Sequence, residues 1–154
     1  MKKMSFGTAQ PSSEANTSLI QYKANDILIG AMRVYFHRVC IAPFDGITRT
    51  TSLVLRPKRP DCLPYLYQVC NEDRTINVAT KISVGTQQPY VNWEHALENH
   101  VIPYPDDDTL IRKYSSMMVS LVKDVINRER ENAELAKLRD WLLPMLMNGQ
   151  VMVA

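Results

Sequence analysis

A length of 154 residues indicates one domain with a single sizeable core rather than a large multidomain enzyme. The composition, 45% hydrophobic and 22% charged with a formal net charge of +2, excludes a disordered or collagen-like chain. No apolar run approaches the roughly 20 residues of a membrane span, and no apolar stretch follows Lys2 and Lys3 as in a secretory signal. We therefore expect a cytoplasmic protein that does not cross a membrane.

The first part of the chain carries the patterns of β-strands. A segment rich in Ser, Thr, Asn and Pro at residues 5–18 predicts an irregular loop. β-branched and aromatic residues dominate the stretches that follow. The predicted strands begin at Leu19 and cover residues 27–30, 33–42 and 50–55. The two prolines within residues 56–60 end the β portion, because a proline nitrogen cannot donate to a ladder.

Helices are predicted for the rest of the chain. Short helices cover residues 64–70, 74–79 and 92–98, the last with Asn92 as its N-cap and preceded by a loop at residues 85–89. Three aspartates and Thr109 then supply the negative charge and capping oxygens of a helix N-terminus. Neither Gly nor Pro occurs until Pro144, which predicts a helix over residues 109–143 about 50 Å long. We expect Pro144 to bend or end it and Gly149 to supply a left-handed stop.

Apolar residues recur along this helix at steps of three and four, which is typical of a heptad seam. The seam residues are Ile111, Tyr114, Met118, Leu121, Val125, Leu135, Leu138 and Leu142. Arg128 and Asn132 interrupt the seam and should set its register at a cost in stability. The helix is longer than a compact domain needs, so we expect its apolar stripe to meet a partner. The alternative is a helix that folds back along its own domain.

These elements predict an α+β protein in two parts. Residues 1–105 form a small, mixed or antiparallel, β-rich domain, and residues 106–154 carry one long, coiled-coil-like helix. Positive charge is concentrated early, because the first 60 residues hold nine Lys and Arg against three Asp and Glu, whereas residues 61–110 hold two against eight. Arginine binds phosphates and guanine edges through paired hydrogen bonds. This distribution indicates a polyanion-binding surface, and the alternative is an ordinary solvated surface.

Catalytic motifs are missing from the sequence. GxGxxG, GxxxxGK[ST], HExxH, GxSxG and the Asn/Asp-Pro-Pro-aromatic sequence of adenine methyltransferases do not occur. Cys40, Cys62 and Cys70 lack CxxC spacing, so we expect reduced, packed thiols. His95 and His100 are five residues apart and do not share a helix face, which favours surface histidines over metal ligands. We therefore expect no catalytic residue, no metal and no cofactor.

Four stretches combine into a pattern that is more specific than any single motif. They are NDILIGAMRVYFHRVCIAPFDGITRTTSLVLRPK at residues 25–58, LPYLYQVC at 63–70, GTQQPYVNWEHALENHVIPYP at 85–105 and ENAELAKLRDWLLPMLMNGQV at 131–151. Together they resemble the specificity subunit of type I restriction-modification systems. The resemblance covers roughly residues 19–151 and rests on the order of a GDIL-like turn, an FDGI turn, a GTxQP loop, an IPxP segment and a terminal LRxxLLPxLxxG helix.

The resemblance implies a non-catalytic subunit that recognises double-stranded DNA. Family members usually carry two target recognition domains, each reading one half of a split site, joined by long antiparallel helices. Methyltransferase subunits dock on that scaffold, and the motor-nuclease subunit joins for restriction. This chain departs from the pattern by holding one such region, which looks short, and one helix.

Candidate DNA contacts follow from residue type, because the family's base-reading loops vary and no contact can be carried over. The candidates are Arg33, Tyr35, His37, Arg38 and Arg49, with Gln87 and Gln88 as amide readers of adenine. The two glutamines are equally suited to brace the junction between domain and helix.

Three hypotheses remain open from the sequence. The first is a half-length specificity subunit that forms a homodimer through the helix at residues 109–143 and reads a symmetric, split site. The second is a truncated remnant that only docks methyltransferase subunits. The third is a metal-dependent nuclease that uses the aspartates at residues 106–108.

Overall fold

The computed structural model describes residues 18–150. The loop predicted at residues 5–18 lies outside the described residues apart from Ser18. The chain divides into two compact units, the first ending at Val119 and the second beginning at Ser120. The described chain is α+β, with small antiparallel sheets followed by a long C-terminal helix, and the predicted fold class is confirmed at that level.

Five short strands form two antiparallel sheets in the described part of the first unit. Their bounds are β1 Leu19–Tyr22, β2 Ile27–Gly30, β3 Val39–Ile41, β4 Gly46–Arg49 and β5 Ser52–Leu55. β1 pairs with β4, and β2 lies between β3 and β5 in the second sheet. Thr50 and Thr51, between β4 and β5, carry the chain from one sheet to the other.

Strand β2 is the central strand of the three-stranded sheet. Its side chains alternate between buried and half-buried positions, and the buried ones belong to the core. Ile27 and Ile29 are 1% and 2% exposed, and Ile27 faces Ile41 and Leu55 in the two neighbouring strands. The remaining core includes Val34, Val39, Leu53, Tyr67, Val69, Ile76, Val91, Leu97 and Ile111.

The short helices α1 (Leu63–Cys70) and α2 (Asp73–Ile82) confirm the predictions at residues 64–70 and 74–79. α1 contacts β3, and α2 contacts the 3-10 turn Val34–Phe36. Both helices present a buried side to the sheet region, with Tyr67 and Val69 on one and Ile76 and Ala79 on the other. The three cysteines are free.

The structure contradicts two local predictions. Residues 33–42 do not form one strand, because Arg33 and His37 have left-handed backbone conformations that flank a 3-10 turn, and β3 begins only at Val39. Residues 92–98 do not form a helix, because His95 has a φ of 57° and interrupts any right-handed turn begun at Asn92. The regular structure in this segment is the 3-10 turn Leu97–Asn99. The sequence patterns also did not predict strand β4.

Helix α3 (Asp108–Met147) has 40 residues and extends beyond the predicted span at its C-terminal end. Pro144 does not end the helix, which continues to Met147, while Gly149 has the predicted left-handed φ of 66°. The first turns belong to the first unit, where Ile111 is 1% exposed and the Ser115 hydroxyl donates a hydrogen bond to the carbonyl of Asp61.

No helix within residues 18–150 has the length and apolar character that a bilayer crossing needs.

A buried carboxylate fixes the turn before β2. The Asp26 side chain is 2% exposed and accepts two hydrogen bonds of 2.7 Å from the Arg56 guanidinium, which follows β5. It also accepts the backbone N–H of Lys23 at 2.7 Å. A paired guanidinium and a backbone donor satisfy a carboxylate that would otherwise be too costly to bury.

Acid is expected to weaken the fold through Asp26. The hydrogen bonds from Arg56, the largest cause, hold the pKa of Asp26 below its ordinary 3.8, although desolvation by burial opposes them. The unfolded state therefore takes up a proton at a higher pH than the folded state. The contribution of Asp26 to stability is complete above about pH 4 and is lost as pH falls through the folded pKa.

The measurement is urea unfolding between about pH 6 and about pH 3. We expect the free energy of unfolding to fall with acid, and to fall less in Asp26→Asn than in the unchanged protein. Equal declines in the two proteins would show that Asp26 does not carry this dependence.

Candidate nucleic-acid interface

The predicted DNA contacts are centred on an exposed turn at residues 33–38, called here the aromatic turn. Arg33 and His37 have φ angles of 49° and 57°, a conformation that costs about 1–2 kcal/mol for a side chain other than glycine. Hydrogen bonds hold it, because the Arg33 N–H donates to Pro89 O at 2.7 Å and the His37 N–H donates to Val34 O at 2.9 Å. Strained, externally held turns of this kind cluster at functional sites.

The aromatic turn exposes two rings and a cation. Tyr35 is 47% and Phe36 is 57% exposed, with ring centroids 4.9 Å apart at 58°. The guanidinium carbon of Arg38 lies 5.8 Å from the Phe36 centroid, within cation–π range. Arg38 also donates to Met32 O at 2.9 Å, which orients the guanidinium. The result is an exposed surface that is apolar and partly cationic.

A second loop, residues 85–89, called here the glutamine loop, adjoins the aromatic turn. Val84 and Tyr90 close it with two backbone hydrogen bonds of 2.9 Å, and Gly85 has a φ of 103°, where a side chain would be strained. The Arg33 guanidinium donates to Gln87 O at 3.2 Å. The side chains of Gln87 and Gln88 are exposed. The structure thus brings together residues that are 54 positions apart in the sequence.

Arg49 is connected to the same region through its neighbours. It is exposed at the end of β4, opposite Leu19. The carbonyl of Thr50, the next residue, accepts a hydrogen bond of 3.3 Å from the Tyr90 hydroxyl at the end of the glutamine loop. The structure gives no direct contact between Arg49 and the aromatic turn.

His37 differs from the other candidates because its ring is not on the surface. Its side chain is 9% exposed, Nε2 lies 2.6 Å from Asn71 O, and Nδ1 lies 3.8 Å from the Asp73 carboxylate. The ring therefore braces the aromatic turn against the connection between α1 and α2. Contact between His37 and DNA would require that hydrogen bond to break.

One feature of the site was missed by sequence reasoning. Phe36 is the most exposed ring of the aromatic turn, although alternation along a strand would have placed Tyr35 and Phe36 on opposite faces.

The Arg33 Nε is buried without a hydrogen-bond partner. A buried, unpaired donor costs about 1–3 kcal/mol. Together with the left-handed conformation, this means that Arg33 is held at some cost to stability.

Carboxylates neutralise most of the other basic cluster, at residues 56–59. Arg56 is paired with Asp26, and Arg59 lies 2.8 Å from Asp61 and 2.7 Å from Asp108. The hydrogen bond from Arg59 is the main reason that the pKa of Asp61 lies below its ordinary value. In the described chain, Lys58 has no acidic partner. This cluster therefore offers less free positive charge than its sequence indicates.

Within the acidic run at residues 106–108, Asp107 caps the helix and Asp108 forms an ion pair. The Asp107 carboxylate accepts the Thr109 N–H at 2.8 Å, and the hydrogen bonds from Thr109 lower its pKa. Asp108 is held by Arg59. Across residues 18–150, no group of three or more His, Cys, Asp or Glu side chains is arranged to hold a metal ion.

The seam residues of α3 differ in exposure. The apolar surface of Ile111 is already covered by its own unit, and Tyr114 packs edge-on to Tyr65 with centroids 6.5 Å apart. Leu121 and Leu135 are each 55% exposed and Leu138 is 48% exposed. Met118, Val125 and Leu142 are half-buried. The C-terminal seam residues are therefore largely available for a partner.

A scan against protein-family models finds no match for this chain, and a search of curated proteins finds no similar sequence.

Proposed function

We propose that the protein is a non-catalytic, sequence-specific DNA-recognition subunit of the type I restriction-modification kind, working in the cytoplasm. The observation that carries the proposal is the aromatic turn, in which exposed Tyr35, Phe36 and Arg38 adjoin a loop with two exposed glutamines. The mechanism needs no cofactor in this chain, since catalysis would belong to partner methyltransferase and motor-nuclease subunits.

The chemistry of the exposed groups divides into two roles. Arg38 and Arg49 are suited to phosphates, which position a protein on the duplex without reading its sequence. Gln87 and Gln88 carry amides that can pair with N6 and N7 of adenine, and the rings of Tyr35 and Phe36 can contact thymine methyl groups. Arg33 acts mainly by joining the two loops.

Dimerisation through α3 is the second part of the proposal. Its support is the exposure of Leu121, Leu135 and Leu138, because such a stripe needs a partner. Two copies paired antiparallel about residue 130 would place Val125 against Leu135 and Met118 against Leu142 of the second copy. The same register pairs Arg128 with Asn132 rather than with another arginine. A two-fold dimer of this kind would read an inverted repeat.

The test is selection from a random DNA duplex pool, with the protein alone and then with a cognate methyltransferase subunit. Enrichment of a two-part inverted repeat with fixed spacing would support a dimeric specificity subunit. A folded protein that enriches no sequence in either condition would contradict DNA recognition.

A scaffold function is the second candidate, and the exposed apolar residues of α3 favour it. Beyond Val119 the helix exposes Trp141 at 58% and Leu143 at 51% in addition to the seam. A truncated subunit could still dock methyltransferase subunits through this surface. Binding to a methyltransferase subunit, without enrichment of any DNA sequence in the selection, would identify that function.

Removing two arginines tests the DNA surface directly. We expect Arg38→Ala with Arg49→Ala to weaken binding and to reduce the salt slope by about one to two units, because each phosphate contact releases counterions. The measurement is the dissociation constant at several salt concentrations. Arg112→Ala with Arg139→Ala is the matched control, since both side chains are exposed on α3 and neither belongs to the two loops. An unchanged slope in the first pair would place the DNA surface elsewhere.

A further inference from the structure

A large cavity lies inside the first unit, away from the two loops. Its volume is about 530 Å³, within the range of about 300–1,000 Å³ that is typical of small-molecule sites. Its walls are mainly apolar. They come from β2 and β5 (Ile29, Val54), α1 (Leu66, Val69) and the segment that precedes α3 (Trp93, Leu97).

Charged side chains at the cavity are predominantly cationic, but most are already paired. Arg56 and Arg59 are held by the carboxylates described above, and the Glu98 carboxylate accepts the His95 N–H at 2.5 Å. Lys58 is exposed and has no acidic partner among residues 18–150. It is therefore the charged group of the lining that remains free to bind an anion.

The other polar groups of the lining are uncharged or internally bonded. Thr75 Oγ1 lies 3.3 Å from His100 Nε2. Burial raises the pKa of the Cys70 thiol to about 11, so Cys70 is not a thiolate at neutral pH. The lining thus combines an apolar surface with one lysine, Lys58, that has no acidic partner among residues 18–150.

We propose that this cavity binds a small amphipathic carboxylate, such as a medium-chain fatty acid, with its chain against the apolar walls and its carboxylate paired with Lys58. Entry of the chain releases water from apolar surface, and the ammonium group compensates the carboxylate. This site is independent of DNA recognition, so either function can fail without the other.

The test uses Trp93 as a reporter within the cavity wall. The chain has two tryptophans, and Trp141→Phe leaves Trp93 as the sole tryptophan. Decanoate is added to the full-length Trp141→Phe protein below its micelle concentration, with decanol and decyltrimethylammonium as probes of the same chain length. We expect a saturable change in Trp93 emission with decanoate, at a concentration at least about tenfold lower than for either other probe.

The free ammonium group is tested by substitution in the same background. Lys58→Gln is expected to weaken decanoate binding about tenfold and to leave decanol unchanged. Lys58 is exposed, so this variant should fold normally, and Lys81→Gln on α2 is the matched control. Val69→Phe places a larger side chain in the cavity wall. Loss of the saturable response to decanoate in this variant, with an unchanged circular dichroism spectrum, would support the location. Absence of a saturable response to decanoate, or a response equal to that of decanol and insensitive to Lys58→Gln, would overturn the proposal.

Discussion

Replacing Asp26 with asparagine is expected to lower the free energy of unfolding by about 3 kcal/mol. The substitution removes the charge that compensates Arg56, and the amide cannot accept all three hydrogen bonds that the carboxylate receives. We take the lower end of the usual range for breaking a buried ion pair, because the Arg56 side chain is 57% exposed and remains partly hydrated.

Urea unfolding at neutral pH measures this effect. Asp45→Asn is the matched control, because the Asp45 carboxylate also accepts a backbone N–H, from Ala24 at 2.7 Å, but at an exposed position. The control should change stability by less than about 0.5 kcal/mol. If both variants lose the same free energy of unfolding, the paired hydrogen bonds between Arg56 and Asp26 are not the source of the stability.

Replacing Leu135 with glutamate is expected to raise the dissociation constant of the proposed dimer at least about 100-fold. In a symmetric pair the substitution occurs twice and places two carboxylates in an apolar seam. Leu135 is 55% exposed within its own chain, so the folding of the first unit should be unaffected.

Sedimentation velocity at several protein concentrations provides the measurement. Ala133→Glu is the matched control, since it adds the same charge at an exposed position of the same helix that is outside the seam. A stable monomer of the unchanged protein at micromolar concentration would contradict dimerisation. Equal dissociation of both variants would place the interface on another face of α3.

The elements that sequence patterns predicted well are those that local forces determine. The apolar run of β2 follows a turn and precedes a glycine, and α3 combines aspartate caps with a long stretch free of Gly and Pro. The sequence patterns did not predict β4, because Ile47 is the only large apolar residue among its four residues. The pairing of β4 with β1 is also a long-range contact.

The aromatic turn could not be predicted for a different reason. Its β-branched and aromatic residues favour a strand, yet Pro89 and Asn71, both remote in the sequence, accept hydrogen bonds that hold Arg33 and His37 in left-handed conformations. Tertiary contacts thus bring Arg33 next to Gln87 and also determine which of the candidate side chains are exposed. Tyr35 and Arg38 are exposed, and His37 is not.

Val34, which is 2% exposed, anchors the aromatic turn in the core, and the His37 ring braces it against the connection between α1 and α2. Main-chain hydrogen bonds hold its path, so the identities of residues 35 and 36 are not needed to maintain it. A library randomised at these two positions should consequently yield mostly folded proteins. The surface chemistry of the turn can then diversify, by natural drift or by design, much faster than the scaffold that carries it.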